Sequence, residues 1–166
     1  MQGIPSLPEL RKMNIESLEK ACIEIREFIL NSTSEKAGHL ASSLGVTELT
    51  VALHISLDTP EDVLLWDVGH QAYVHKVITD RADVFKSNRK KNGPSGFPNR
   101  NESNFDSFGV GHSSTALSAL IGFARADVLI KRNRHKVAVV GDGAFTGGMV
   151  YEAMNDAGSK GDDILL

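Results

Sequence analysis

A short Gly-Asp-Gly run, Gly141-Asp142-Gly143, comes directly after residues 136–140, whose apolar pattern is that of a buried strand. In open α/β sheets, the junction between a strand and the following helix is the edge at which ligands bind. Asp142 offers a hard oxygen ligand of the kind Mg²⁺ prefers, and the N–H groups of Gly143 and Ala144 are placed to face a phosphate. A plain tight turn has the same composition, so the prediction depends on the strand–helix context.

Three of the six histidines follow a glycine, namely His39, His70 and His112. A preceding glycine lets the backbone turn sharply and lets a ligand come close. Histidines in such places can transfer protons near neutral pH or bind phosphate oxygens. One such pair is usually structural, but three together favour a functional interpretation. The other three histidines are interpreted as structural: His54, His75 and His135.

The run Gly111-His112-Ser113 opens a predicted helix. Ser113 or Ser114 can cap that helix, and the alternative is that these N–H and hydroxyl groups contact a ligand. The chain has no GxSxG, GxxxxGK[ST], GxGxxG, HExxH or CxxC motif. A hydrolase elbow, a P-loop, a dinucleotide fingerprint and a zinc site are therefore all disfavoured.

The composition is that of a globular protein, with 166 residues, 41% hydrophobic and 23% charged residues, and a net charge of −3. The negative charge argues against nucleic-acid binding, and the basic clusters at residues 86–91 and 131–136 are interpreted as solvated loops. An RNA-binding module remains the distant alternative. The single cysteine, Cys22, fits a small core residue in a reducing compartment. With no signal-peptide or transmembrane pattern, we expect a cytoplasmic protein without a membrane partner.

Strands alternate with helices along the chain, which predicts an α/β fold with a three-layer α/β/α parallel sheet. An extended leader is expected over residues 1–13, and a long functional loop over 86–111. The predicted helices span residues 15–31 with Asn14 as N-cap, 46–57, 70–79, 113–131 and 144–158, and the predicted strands span 63–67 and 136–140. Residues 164–166 have the pattern of a further strand. We therefore expect 1–166 to be a single incomplete domain, with later domains absent.

Five motifs occur in an order that is similar to one known family. They are the runs at residues 38–45 (GHLASSLG), 67–73 (DVGHQAY), 95–98 (SGFP), 109–115 (GVGHSST) and 141–144 (GDGA). Together they resemble the N-terminal part of the 1-deoxy-D-xylulose-5-phosphate synthases, which are thiamine-diphosphate enzymes related to transketolase. The resemblance covers nearly the whole chain, and it implies a partial domain that binds the cofactor's diphosphate.

The resemblance implies a transferase that condenses pyruvate with glyceraldehyde 3-phosphate. The reaction proceeds through a thiamine-diphosphate adduct and releases CO₂ and 1-deoxy-D-xylulose 5-phosphate. It is the first step of non-mevalonate isoprenoid synthesis and also feeds thiamine synthesis. The resemblance further implies Mg²⁺ as a second cofactor and a homodimer when the enzyme is full length.

The resemblance also assigns roles to individual residues. Asp142 matches the Mg²⁺ ligand, and Gly143 and Ala144 match diphosphate contacts. His70 and the run Gly111, His112 and Ser113 match cofactor-binding positions. His39 and His70 are the candidate catalytic residues, and His39 matches a histidine near the thiazolium ring and the substrate.

The chain departs from the family pattern at several loop positions. Val74 replaces a usual proline, Asp80 replaces a usual glycine, and Asn92 and Pro94 alter the run before SGFP. A second metal ligand and the activating glutamate of the family would fall beyond Leu166, so we expect the fragment alone to be inactive. The alternatives are a non-catalytic diphosphate-binding or regulatory domain, or a fragment of another transketolase-like enzyme.

Overall fold

The structure is a computed structural model that describes residues 4–34 and 38–166. Two compact units are distinguished by their internal contacts. The first, the helical unit, comprises the chain up to Leu57 together with His70–Gly96. The second, the strand unit, comprises Asp58–Gly69 and Phe97–Leu166.

The helical unit is built from short and medium helices. Its α-helices are α1 (Leu7–Leu10), α2 (Ile15–Thr33), α3 (Leu40–Gly45), α4 (Thr47–Ser56) and α5 (Tyr73–Lys76), and a π-helical turn (Val77–Arg81) and a 3₁₀ turn (Phe85–Ser87) follow α5. The Asn14 side chain accepts a hydrogen bond from the Ser17 N–H, which confirms the predicted cap of α2.

Two helices in this unit differ from the sequence-based expectation. The leader is not extended throughout, because Ser6 and Glu9 form a capping box that starts the single turn of α1. Helix α3 lies in the small-residue stretch for which no element was predicted. Both helices are too short for hydrophobic periodicity to reveal them.

The core of the helical unit lies where α2, α4 and α5 meet. Ile25, Ile29 and Phe85 are fully buried there, and Tyr73 packs edge to face against Phe85 with ring centroids 5.3 Å apart. Cys22 is buried in the same cluster, which confirms its interpretation as a core residue.

The strand unit contains two parallel strands and two long helices. Its elements are β1 (Val63–Trp66), α6 (Ala116–Ile130), β2 (Lys136–Val139), a 3₁₀ turn (Asp142–Thr146) and α7 (Gly148–Lys160). The strands pair in register from Val63 opposite Lys136 to Trp66 opposite Val139. Leu165 forms a parallel bridge to Val137 on the other side of β2. The predicted α/β class with parallel pairing is confirmed.

Helix α6 covers the strand pair with an apolar face. Ala116 and Leu120 pack against Leu65 and Ala138, and all four side chains are buried. Lys131 has a left-handed backbone (φ 56°) and ends α6 where the sequence predicted. Parallel strands are usually covered on both faces, and all four residues of β1 are apolar and buried as this arrangement requires.

A long irregular segment connects the last turn of the helical unit to α6. Residues 88–115, all of which the structure describes, contain no helix or strand, whereas residues 86–87 of the predicted loop over 86–111 belong to the 3₁₀ turn. Within the described parts of the chain, no helix combines the length and apolarity needed to cross a membrane.

Candidate functional site

The carboxyl ends of β1 and β2 lie at one edge of the parallel pair, and each is followed by an aspartate. Asp67 comes directly after β1, and Asp142 follows β2 by three residues. Parallel α/β sheets bind ligands at this edge. The structure therefore places the Gly-Asp-Gly run at the carboxyl edge of the strand pair, as the sequence predicts.

Asp67 is buried and binds the start of α6. Its Oδ1 accepts the Ser114 N–H at 2.8 Å, and its Oδ2 accepts the Ala116 N–H at 3.0 Å. Of the two alternatives that the sequence leaves open for Ser113 and Ser114, side-chain capping of this helix is not observed. The acceptors for the N–H groups at the start of α6 come instead from Asp67 at the end of β1, a residue for which no local pattern predicts this role.

Ser114 connects the two loops that were predicted separately as cofactor contacts. Its backbone is left-handed (φ 70°), and its Oγ donates to the Ala144 carbonyl at 2.7 Å. Gly147 lies against this hydroxyl so closely that a Cβ there would collide with it. The run at residues 111–113 and the run at 142–144 are therefore held next to each other by a direct hydrogen bond.

The Gly-Asp-Gly run continues into a 3₁₀ turn, and α7 begins only at Gly148. Asp142 is exposed, and its Oδ1 accepts the Gly143 N–H at 2.9 Å. The Ala144 N–H donates to the Gly141 carbonyl at 2.9 Å. Both N–H groups thus have an acceptor within the chain, so a diphosphate that binds them must exchange these two bonds for its own.

The run at residues 111–113 is exposed at all three positions. The Nδ1 atom of His112 lies 2.8 Å from the Ser113 carbonyl oxygen. Since a carbonyl only accepts, Nδ1 carries the proton, and Nε2 is the acceptor of the neutral ring. His112 can therefore accept a hydrogen bond from a ligand when neutral, or donate one when protonated.

Gly69 lets three of the recognisable motifs meet within the strand unit. Its φ is +86°, and a Cβ on it would come within 2.6 Å of both Pro98 Cδ and Val110 Cγ2. The residue before it, Val68, also has a positive φ of 60°, and the Gly69 N–H donates to the Asp67 carbonyl at 2.6 Å. A left-handed β-branched residue is a strained conformation of the kind found at functional sites.

His39 and His70 lie together in the helical unit. Their ring centroids are 5.5 Å apart, and their planes meet at 72°. Ser43 Oγ donates to the His70 carbonyl at 3.2 Å, and Ser42 Oγ lies 3.2 Å from the His39 carbonyl and 3.4 Å from that of His70. Helix α3 thus fixes the backbone of both candidate catalytic residues.

The candidate site residues fall into two groups. The helical unit holds His39 and His70, and the strand unit holds Gly111, His112, Ser113, Asp142, Gly143 and Ala144. Among the residues that the structure describes, no cluster of three or more His, Cys, Asp or Glu side chains forms a metal site. Mg²⁺ is usually held by one or two carboxylates plus phosphate oxygens, so the exposed Asp142 suits a metal shared with a diphosphate.

Comparison with known proteins gives a consistent result over the whole chain. A family model described as 1-deoxy-D-xylulose-5-phosphate synthase matches residues 1–166. The synthase of Cytophaga hutchinsonii is 53% identical over 166 residues, and that of Desulforudis audaxviator is 50% identical over the same length. Each match covers 100% of this chain but 26% of the relative. The chain therefore spans about a quarter of the length of these curated relatives.

Proposed function

Because this chain belongs to the 1-deoxy-D-xylulose-5-phosphate synthase family, we propose that it is the N-terminal part of a transferase of that activity. The substrates are pyruvate and glyceraldehyde 3-phosphate, and the products are CO₂ and 1-deoxy-D-xylulose 5-phosphate. This reaction starts non-mevalonate isoprenoid synthesis and feeds thiamine synthesis. In this proposal, residues 1–166 are the part of the enzyme that binds the diphosphate end of the cofactor.

The observation that carries this proposal is the hydrogen bond between Ser114 Oγ and the Ala144 carbonyl. It joins the loop before α6 to the loop after β2, and the exposed run at 111–113 and the exposed Asp142 lie on these two loops. Exposed N–H, hydroxyl, imidazole and carboxylate groups at the carboxyl edge of a parallel pair suit a diphosphate and its metal. The residues present thus fit thiamine diphosphate with Mg²⁺.

Thiamine diphosphate, when bound, supplies the carbon nucleophile and the electron sink that decarboxylation of a 2-oxo acid requires. The chain's own residues bind and orient it. Asp142 would hold Mg²⁺, which would offset the charge of the diphosphate, and Gly143 and Ala144 would contribute backbone N–H groups. Gly111, His112 and Ser113 would contact the cofactor from the loop before α6.

His39 and His70 perform the proton transfers in this proposal. An imidazole titrates close to neutral pH and can both accept and donate a proton during one catalytic cycle. The rings of His39 and His70 lie edge to face in the helical unit. We assign His39 to the substrate side and His70 to both catalysis and cofactor binding.

The remaining parts of the active site lie outside these residues. By resemblance to the family, a second metal ligand and the glutamate that activates the cofactor belong to later parts of the polypeptide. The 166-residue chain alone is therefore inactive. The intact enzyme is a cytoplasmic homodimer that acts on small molecules and not on nucleic acid.

An assay of the intact polypeptide that carries this chain tests the proposal. With thiamine diphosphate and Mg²⁺ present, we expect CO₂ release from pyruvate to depend on glyceraldehyde 3-phosphate, with a sugar phosphate of the expected mass as product. Residues 1–166 alone provide the matched control and should give no product. A folded intact protein that binds the cofactor but forms no such product would refute the assignment.

A further inference from the structure

We propose that Asp67 is a positioning residue that sets the geometry of both cofactor-binding loops from one buried carboxylate. This inference rests on the proposed function, since the loops at residues 111–113 and 142–144 are cofactor contacts only under that proposal. Asp67 itself touches neither cofactor nor substrate in this account. Its role is exerted through Ser114.

The position of Asp67 is fixed on its backbone side by the strand pair. Its N–H donates to the Val139 carbonyl at 2.8 Å, so it extends the β1–β2 pairing by one bond. The strained turn at Val68, closed by the Gly69 N–H on the Asp67 carbonyl, immediately ends the strand. The Asp67 side chain is therefore attached to a backbone position that the strand pair holds by a hydrogen bond.

The carboxylate is 1% exposed, and each of its oxygens accepts one N–H at the start of α6. Hydrogen bonds to an ionised acceptor are about twice as strong as neutral ones, and a negative charge is favourable at the N-terminus of a helix. Through the Ser114 N–H, the carboxylate also supports a backbone conformation with a positive φ that serine seldom adopts. The end of the 111–113 run is thus determined by Asp67.

The second loop is reached through the Ser114 side chain. Its hydroxyl donates to the Ala144 carbonyl, and Gly147 packs directly against the same hydroxyl. A displacement of Ser114 would therefore also disturb the hydrogen bond that its hydroxyl donates to Ala144 in the 142–144 run. One carboxylate, one serine and one carbonyl therefore connect β1, the loop before α6 and the loop after β2.

A purely structural cap would have the same contacts, so the test needs a control with the same burial on the same helix. Asp127 provides it. This residue of α6 is also 1% exposed, and its oxygens accept from Arg134 Nε at 2.8 Å and from a second Arg134 nitrogen at 3.0 Å. Loss of its charge should destabilise α6 without altering either loop.

The experiment compares Asp67→Asn and Asp127→Asn in the intact protein. Thiamine diphosphate is titrated in the presence of saturating Mg²⁺ by calorimetry, well below the unfolding temperature, and unfolding is followed separately. The asparagine amide cannot accept the second N–H, so Asp67→Asn should raise the dissociation constant about 10-fold or more, as removal of an outer-shell partner typically does. Asp127→Asn should lower the unfolding temperature comparably and leave the dissociation constant within about 2-fold, because it lies outside the loops.

Ser114→Ala serves as a second variant in case Asp67→Asn does not fold. It removes only the hydroxyl bond to Ala144, and it should weaken binding of both thiamine diphosphate and inorganic diphosphate. In the double variant, the loss should be smaller than the product of the two single losses, because both residues act through one connection. Equal dissociation constants for wild type, Asp67→Asn and Ser114→Ala would overturn the positioning role. Absence of binding by the wild type would instead overturn the proposed function and this inference with it.

Discussion

The imidazole rings of His39 and His70 meet edge to face, with their centroids 5.5 Å apart. The two residues come from separate sequence motifs and are brought together by α3, whose Ser42 and Ser43 hydroxyls contact the carbonyls of the pair. Under the proposed function, this pair of neighbouring rings exchanges protons with a bound substrate.

The first prediction concerns this pair in the intact enzyme. His39→Ala and His70→Ala should each lower kcat/KM by about 10²- to 10⁴-fold, the range for loss of a general acid or base. The double variant should lose less than the product of the single losses, because residues in contact act non-additively. Steady-state CO₂ release measures all three. His135→Ala, in an exposed turn, is the control and should keep wild-type activity; strict additivity of the two losses would show that the rings act independently.

Asp80 provides a prediction about stability. Its backbone is left-handed (φ 68°, ψ 14°), and the resemblance to the family implies a usual glycine at this position. Because glycine adopts this conformation without a Cβ penalty, Asp80→Gly should raise the free energy of unfolding by up to about 1 kcal/mol. Chemical denaturation measures the change. Asp83→Gly is the matched control, since Asp83 has no positive φ and glycine there should cost about 0.5–1 kcal/mol; equal destabilisation by both changes would contradict the strain argument.

Cys22 should be unreactive in the folded protein. It is 3% exposed, and burial raises the pKa of its thiol, so little thiolate is present and little of the side chain is accessible. Treatment with iodoacetamide near pH 8, followed by peptide mapping, should leave the Cys22 peptide unmodified. The same treatment in guanidinium chloride should label it fully. Equal labelling rates under both conditions would mean that this part of the core is open.

The ion pair between Arg26 and Glu48 gives a pH prediction for the helical unit. A hydrogen bond from Arg26 lowers the pKa of Glu48, so the pair contributes stability above the unfolded glutamate value of about 4.3. That contribution is lost as the pH falls through the lowered folded-state pKa. Since the Glu48 side chain is 60% exposed, the contribution of the ion pair to the free energy of unfolding should stay below about 1 kcal/mol and decrease with added salt.

Glu48→Gln should therefore flatten the fall in stability between about pH 5 and pH 3, as urea denaturation at several pH values would show. Glu27→Gln, on the exposed face of α2, is the control for removal of a negative charge without that partner. An acid transition that is steeper in Glu48→Gln than in the wild type would contradict the assignment.

Much of the fold could be predicted because it depends on local patterns. The Asn14 cap, the apolar stripe of α2 and the apolar run of β1 are each visible within a few neighbouring residues. The Gly-Asp-Gly run could also be placed at the end of β2, because it directly follows an apolar run with the pattern of a buried strand. Asp80 and Asn92 both have a left-handed backbone, which aspartate and asparagine tolerate better than most residues.

The features that could not be predicted depend on distant partners. Asp67 caps a helix that begins 49 residues later, and no local pattern announces such a cap. Helix α3 has a buried serine, Ser43, whose hydroxyl binds the His70 carbonyl, and this contact with a residue far along the chain is not visible in the local sequence. The role of Gly147 likewise depends on the approach of Ser114. The position of Asp67 directly after a buried strand is the one feature in the sequence that could have indicated its role.

In the proposed function, Asp142 holds Mg²⁺ for a diphosphate bound at the carboxyl edge of the strand pair. The Mg²⁺ dependence of thiamine diphosphate binding to the intact protein tests this role, with wild type, Asp142→Asn and the exposed control Asp163→Asn compared by calorimetry. We predict tight, Mg²⁺-dependent binding for wild type and Asp163→Asn, and a loss of about 10- to 100-fold for Asp142→Asn. Binding that is independent of Mg²⁺, or a dissociation constant that is the same in all three proteins, would contradict this role of Asp142.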